Sequence, residues 1–534
     1  MDIAKKPDAI WKEYDKVVSY KSTINLYDNV DMNRNFYNGN QWEGLNAPSI
    51  DKPVINLFKR TVDYYASMII SDDIAVSCEI PNDIEENTRI ALEYITNELI
   101  ERVLEQTKFR KMTRKFIKNT AIDGDAFLYW RYDPNANRKG KYKGGIKLEL
   151  LENLNVGFGD PTDRNVDNQP YIIVIQKLPL ETVKKMAKNE GVSESDINLI
   201  TVDGFDYNQQ ESDAHAVQNY CTLLTKFWKE EGTVWTTITT KEVVIKKPYD
   251  TKLSLYPITY QSWTEVIRSY HGISPLTETR PNQIMINKYF MMLNEFVKKL
   301  AFPKLLFDQT KIDKWDNRIG ALGVNGNPNE AIAVSTPSVQ LSAQFIQFVD
   351  MYIEKTKEAM GIYDVALGNA NPVNTSAIIA LQKTASQPLE FQRLEYLQVV
   401  EDSVRIIVDI MSAYYGTREV PFKTEQGEGV LKFDFKDLDY DEFNLTVEVG
   451  QASYWSEITQ IQTLDNMYAQ QIIPDAITYL KQLPNGLLKN KQDIIDAIQQ
   501  KIQAEQEMQD MQMAMQMVNQ NRAMQAPVPE GMPV

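Results

Sequence analysis

The spacing of apolar residues along the chain alternates between two periods, and that alternation divides it into segments. Near the start, "WKEYDKVVSYKSTINLYDNVDMNRNFYNGNQWEG" is polar and dotted with aromatics at helical spacing, and it ends in an Asn38-Gly39 turn. A second helix is expected from "DKPVINLFKRTVDYYASMII", where Pro53 suits an early turn. Val54, Leu57, Phe58, Val62, Tyr65 and Ile69 form its apolar face. A third spans roughly residues 84–121, with Ile90, Tyr94, Leu99, Val103 and Phe116 inward.

From "AIDGDAFLYWRYD" the pattern changes to strands. "DPNANRKGKYKGG" reads as a long hairpin tip, and "YIIVIQKL", "YCTLLTKFWK" and "TVWTTITT" carry β character to about residue 262. Helix returns over 271–300: Ser274 can cap it with Pro275 at its first position, and Pro281 is expected to kink or restart it. Met285, Tyr289, Met292, Phe296 and Leu300 mark its stripe. Two short strands follow around the turn-rich "GVNGNPN". Phe345, Phe348, Val349, Tyr352 and Ile353 then predict another helix. Leu394, Leu397, Val404, Val408, Met411 and Tyr415 predict a longer one, bent at Pro388. Residues 417–450 are β again, and 456–522 are helical with a break at "PNG". The fold class expected is α+β, mainly helical.

One connector stands out. "MGIYDVALGNANPVNTSAIIAL" (residues 360–381) separates two helices by about fifteen residues rich in Gly, Asn and Pro, where a few would do.

Composition narrows the class. At 534 residues the chain exceeds one core's usual size, so two or more lobes are expected. Apolar content of 43% and charged content of 24% are those of a globular protein. Neither a membrane span nor a signal peptide is predicted, and Cys78 and Cys221 suggest a reducing compartment without a disulfide framework. The net charge of -16 argues against a protein that grips a phosphate backbone, though not against one that lets nucleic acid pass.

Candidate chemistry is sparse. No phosphate loop, nucleophile elbow, Cys-x-x-Cys or zinc-helix motif occurs, so no catalytic residue, metal ligand or cofactor is expected. His215 and His271 read as solvated or core residues, and Asp123 and Asp125 as capping residues of a helix-to-strand turn. Lys108, Arg110, Lys111, Arg114, Lys115 and Lys118 read first as a solvated face and second as a phosphate contact. Met508, Met511, Met515 and Val518 form a coiled-coil-like seam, with Met513 and Met517 off it; such a helix wants neighbours, in its own subunit or in copies of itself.

In their order, four stretches resemble the portal proteins of tailed double-stranded DNA bacteriophages: "FYNGNQWEG…DKPVINLFKRTVDYYASMI", "NTAIDGDAFLYWRYDP", "HGISPLTETRPNQIMINKYFMMLNEFVKKLAFPKLLFD" and "MGIYDVALGNANPVNTSAIIALQKTAS". The resemblance covers nearly the whole chain. It implies a ring of subunits, usually twelve, around a DNA channel. Residues 1–270 would be the wing, 271–300 the first stem helix, 301–342 the clip and 343–360 the second stem helix. Residues 361–375 would be the channel loop, 376–455 the wing spine and returning strands, 456–522 the crown and 523–534 a loose tail.

The resemblance further implies that Ile362, Tyr363, Asp364, Leu367, Asn369, Asn371 and Asn374 face passing DNA. Asp364 is the loop's one charge, so a duplex meets no cationic site there, and twelve copies at -16 would carry about -190. In the clip, Lys311, Lys314, Trp315 and Arg318 are candidates for partner contact, Trp and Arg being favoured interface anchors. Crown self-association would use Met508, Met511, Met515 and Val518. Implied partners are other copies of the chain, the terminase packaging motor, head-tail adaptor or neck proteins, the major capsid protein and a scaffold, with no membrane. The setting would be the unique capsid vertex of the virion, and the host cytoplasm during assembly. A packaging ATPase or nuclease should carry a phosphate loop or clustered acidic ligands; a tail component should be more β-rich and an adaptor shorter.

Overall fold

In the computed structural model, the described residues are 7–70, 74–79, 92, 94–136, 142–202, 220–299, 305–307, 333–335, 342–362, 387–424, 427–437, 444–449, 463–470, 472–473, 476–482, 494 and 497–498. Their architecture mixes α and β. The chain forms two units, Met1–Glu448 and Val449–Val534.

The first unit opens with α1 (Pro7–Thr23) and α2 (Leu26–Asn38), then α3 (Leu57–Ile69) and the short strand β1 (Ile74–Glu79). What reads as one opening helix is therefore two, because Asn25 takes a left-handed conformation with φ 53°. Asparagine tolerates it better than most residues. α3 begins at Leu57 rather than Pro53, capped by Asn56, whose side-chain oxygen accepts from the Lys59 amide at 3.1 Å. The third expected helix is also interrupted. A π turn (Ile95–Leu99) runs into α4 (Ile100–Gln106), Lys108 is left-handed at φ 55°, and α5 (Phe109–Asp123) starts afresh.

At the end of α5, Gly124 has φ 99°, and a Cβ there would stand 2.6 Å from the Gly272 carbonyl oxygen. Only glycine fits that turn. The chain then enters β2 (Asp125–Asp133), which pairs antiparallel with β3 (Gly145–Glu152) across the expected hairpin. β4 (Val156–Phe158), β5 (Ile172–Pro179), β6 (Tyr220–Glu230), β7 (Thr233–Thr239) and β8 (Val244–Leu253) form a five-stranded sheet in sequence order. Two helices, α6 (Leu180–Asn189) and α7 (Glu194–Leu199), follow β5; Val183 and Ala187 of α6 pack on Leu223 and Ile245. β9 (Ile258–Ser262) joins β2 on the side away from β3. The β region runs past the expected limit, through β10 (Thr264–Val266) and β11 (Ser269–Ile273).

Helix α8 (Pro275–Lys299) begins at Pro275 as its cap implied, and Ser274 Oγ accepts from the Leu276 amide at 3.1 Å. Pro281 does not end it: proline removes one amide donor, and the helix continues past it. Strands β12 (Leu305–Phe307) and β13 (Ala333–Ser335) pair antiparallel, and α9 (Ala343–Ala359) returns. Pro388 lies in a 3-10 turn, Gln387–Leu389, leading into α10 (Glu390–Tyr414). Residues 376–386, where the expected helix would precede that proline, lie outside the described residues. The hairpin β14 (Thr417–Thr424) and β15 (Gly427–Asp434) and strand β16 (Asn444–Val449) follow.

The main core sits where α3, α5, β2 and α10 meet, with Phe58, Phe116, Trp130 and Val404 fully buried. One buried charge beside it is fully paired. The Lys21 ammonium, itself buried, donates to the carbonyls of Asn153, Leu154 and Val156 at 2.8, 2.9 and 2.7 Å, tying α1 to the start of β4. In the second unit, α11 (Ala476–Gln482) carries Tyr479, whose hydroxyl bonds Asp465 and whose ring lies 5.0 Å from Tyr468.

Candidate functional site

Helix α8 is built in two halves. Its first half is held in the body by amides: Gln283 donates to the Ile55 carbonyl at 2.7 Å and accepts from the Leu57 amide at 3.2 Å. Asn287 donates to Gln41 Oε1 at 2.6 Å and accepts from the Ile55 amide. Beyond Asn287 no residue of the helix is buried. With 25 residues at 1.5 Å each, it runs about 37 Å, and near its far end Lys298 pairs with Asp51, in the segment before α3.

Helix α9 packs on that second half. The Tyr289 ring meets Phe345, Phe348 and Tyr352 edge-on, at 6.3, 5.6 and 5.6 Å between centroids, and the Tyr352 hydroxyl donates to Asn282 Oδ1 at 3.3 Å. Higher numbers on one helix meet lower numbers on the other, so the two run antiparallel. They form a stalk. Four apolar side chains along it are open, Met292 at 56% exposed, Val297 at 46%, Ile346 at 48% and Met351 at 50%, among exposed charged residues such as Lys288, Asp350 and Lys355.

The inner end of the stalk is anchored. α9 closes with Gly361 at φ 68°, where the Ile362 amide reaches back to the Lys357 carbonyl at 3.0 Å and the Gly361 amide to Glu358 at 2.9 Å. From α3, Tyr65 donates its hydroxyl to the Met360 carbonyl at 2.5 Å, and Thr61 lies 3.5 Å from the Met360 sulfur. A Cβ on Gly361 would stand 3.1 Å from Pro388 Cβ. Residues 361 and 388 are therefore neighbours, and the segment 363–386 between them lies outside the described residues.

Ile362 is a correction. Expected to face a channel, it is 5% exposed and belongs to the main core, because the helix-ending turn drives its side chain inward. Tyr363, Asp364, Leu367, Asn369, Asn371 and Asn374 lie outside the described residues. So do Lys311, Lys314, Trp315 and Arg318 of the expected clip, and Met508, Met511, Met515 and Val518 of the expected crown.

Asp123 and Asp125 do not cap their turn. Asp123 takes a two-pronged ion pair from Arg34, Nε to Oδ1 at 3.0 Å and Nη2 to Oδ2 at 2.7 Å. Burial nonetheless pushes its carboxyl up to about 6. Asp125 accepts from the Gly272 amide at 3.1 Å and lies 2.8 Å from His271 Nδ1. His271 is the core histidine that its isolation implied, and burial holds its pKa below the usual value despite Asp125. His215 lies outside the described residues.

In the basic stretch, Lys118 pairs with Asp63 at 2.5 Å. Lys108, Arg110, Lys111 and Arg114 line an open groove of about 810 Å³ together with Arg102 and with Glu98, Glu101 and Glu105, so it carries both signs, with cations in excess. Among the described residues, no group of three or more His, Cys, Asp or Glu could hold a metal ion, and no helix is long and apolar enough to cross a membrane. Compared with known proteins, the chain matches no family model, and no curated protein matches it.

The sequence marked the aromatic stripes of the stalk but not its anchor. Tyr65 reads as one more apolar position of α3, and nothing in the chain pairs it with a carbonyl almost three hundred residues away.

Proposed function

We propose that this chain is a portal protein of a tailed double-stranded DNA bacteriophage. It would be one subunit of a ring of about twelve that forms the DNA channel at a unique capsid vertex. The observation that supports the reading is the helix pair: α8 and α9 run antiparallel, pack through Tyr289, Phe345, Phe348 and Tyr352, carry exposed apolar residues, and α9 ends at an anchored turn beside Pro388. In a closed ring each stalk lies between two others, and Met292, Val297, Ile346 and Met351 gain the cover they lack in one subunit.

The turn after α9 supports the same reading. A segment that starts and ends at one rigid point can reach toward an axis without disturbing the body behind it. The stretch 363–386 has Asp364 as its only acidic residue and no cation before Lys383, so its first part offers a passing phosphate backbone nothing to hold. The chain would work without catalysis. The packaging motor, and later the neck proteins, would dock on residues 301–342, and the energy for translocation would come from the motor.

The test is deletion of residues 364–374 in the phage that carries this chain. Rings should still form, while packaging or genome retention fails. If the deletion blocks ring formation, or leaves packaging and genome retention untouched, the segment is no channel loop and the reading is wrong.

A further inference from the structure

The open groove of about 810 Å³ is shared by α4, α5 and α10. Lys108, left-handed at φ 55°, turns the chain from α4 into α5, so the two helices form separate walls. α10 reaches the groove through Tyr396 and Val400, both buried, and the Tyr396 hydroxyl is hydrogen-bonded to Thr113 of α5.

The walls differ in sign. The π turn and α4 contribute Glu98, Glu101 and Glu105 with one cation, Arg102. The start of α5 contributes Lys108, Arg110, Lys111 and Arg114, so five cations stand against three carboxylates, all of them exposed. Opposite charges on neighbouring turns of helix ordinarily pair. Here Arg102 meets Glu98 at 3.7 Å, while Glu101, Glu105, Lys108, Lys111 and Arg114 have no ion-pair partner among the described residues. The groove stays open with charges of both signs unanswered.

The rest of the chain says what would answer them. Its net charge is -16, so an excess of cations is the exception, and the average face of another copy is acidic. A nucleic acid fits less well, because its phosphates would lie beside Glu98, Glu101 and Glu105. A protein face carrying both signs can oppose both walls. We infer that the groove receives an acidic face of a neighbouring copy of this chain, whose carboxylates pair with Lys108, Lys111 and Arg114. Such a contact joins two different faces, so it is heterologous and repeats around a ring. The inference rests on the portal reading for the ring itself. To the apolar contact of the stalk it adds a second one that salt weakens.

The first experiment is carbodiimide cross-linking of particles assembled from a mixture of light- and heavy-nitrogen full chains, read by mass spectrometry. Amide links are expected from Lys108 or Lys111 of one chain to Asp or Glu of an oppositely labelled one. Links from these lysines only within one chain, or none at all, would overturn the inference. The second is native mass spectrometry of Lys111→Glu with Arg114→Glu, both on an exposed face, at low and at physiological salt. Wild type should stay a closed ring while the variant, with its Tm unchanged, falls to smaller species at physiological salt. A variant ring as complete as that of wild type at both salts overturns the inference and leaves the portal reading standing. A variant that keeps its ring but loses binding of a DNA duplex overturns it too and assigns the groove to nucleic acid. A wild type that forms no ring overturns the portal reading, and this inference with it.

Discussion

The hydroxyl of Tyr65, on α3, donates to the backbone carbonyl of Met360, where α9 ends, at 2.5 Å. One bond thus joins the wall of the main core to the point where the stalk's returning helix stops. The Tyr65 ring lies 4.9 Å from Trp263, so it keeps its place even without the hydroxyl. Replacing Tyr65 by Phe leaves a buried carbonyl unpaired and should cost about 1–2 kcal/mol, read as a lower Tm in a thermal melt. A melt identical to wild type would mean that the carbonyl finds another donor.

Gly361 makes a companion case. At φ 68°, and with Pro388 Cβ 3.1 Å from where a side chain would start, alanine meets both backbone strain and a tight contact. Gly361→Ala should lose about 1–2 kcal/mol of unfolding free energy in urea titration. It should also raise protease cleavage within 363–386. Unchanged stability would contradict the anchor.

Arg34 and Asp123 form the most exacting ion pair of the body. Arg34→Met removes the only cation that the buried Asp123 carboxylate meets in the described residues, and its second bond to Glu152 at 2.9 Å. Stability should fall by about 3 kcal/mol, since a lone buried charge costs more than the pair earned in forming. Asp123→Asn in the Arg34→Met background should recover part of that loss, and no recovery would mean that packing rather than charge explains it.

Asp409 gives a pH dependence of known sign. One of its oxygens accepts both the Ser254 and Leu255 amides, at 2.9 and 3.0 Å, yet burial pushes the carboxyl up to about 6. Between that value and the ordinary 3.8, the folded protein holds a proton that the unfolded chain has released, so this group adds stability as pH falls through 6. At neutral pH it costs up to about 3 kcal/mol, at about 1.4 kcal/mol per pKa unit. Asp123 acts in the same direction. His271, whose pKa burial lowers, acts in the opposite one, losing stability as pH drops below 6.5. Asp409→Asn keeps one oxygen for both amides, and its Tm advantage over wild type should be largest at pH 7.5 and shrink by pH 5. A difference that does not vary with pH would show that Asp409 is ionised throughout.

The periodicity of the chain carries the elements that local forces set. The strands from 172 to 239, the Ser274–Pro275 helix start and the face of α9 toward Tyr289 are all legible in it. What it misses is set by distant contacts or by single backbone residues. Asn25 and Lys108 break two helices with left-handed conformations that no glycine announces. Leu394 belongs to the apolar series of α10 but lies exposed, because the buried stripe is Tyr396, Val399, Val400 and Val404. Ile362 is drawn into the core by a turn whose geometry depends on Gly361.

The account's central claim is that the stalk joins copies of this chain into a closed ring. The most direct measurement is native mass spectrometry of the full chain, beside a variant with Ile346→Ser and Met351→Ser on the stalk's open face. Wild type should appear as a closed species of about twelve copies of the 61.4 kDa subunit, and the variant as smaller species with an unchanged Tm for the protomer. A wild type that stays at 61.4 kDa at every concentration, or a ring that survives the two substitutions intact, would contradict it.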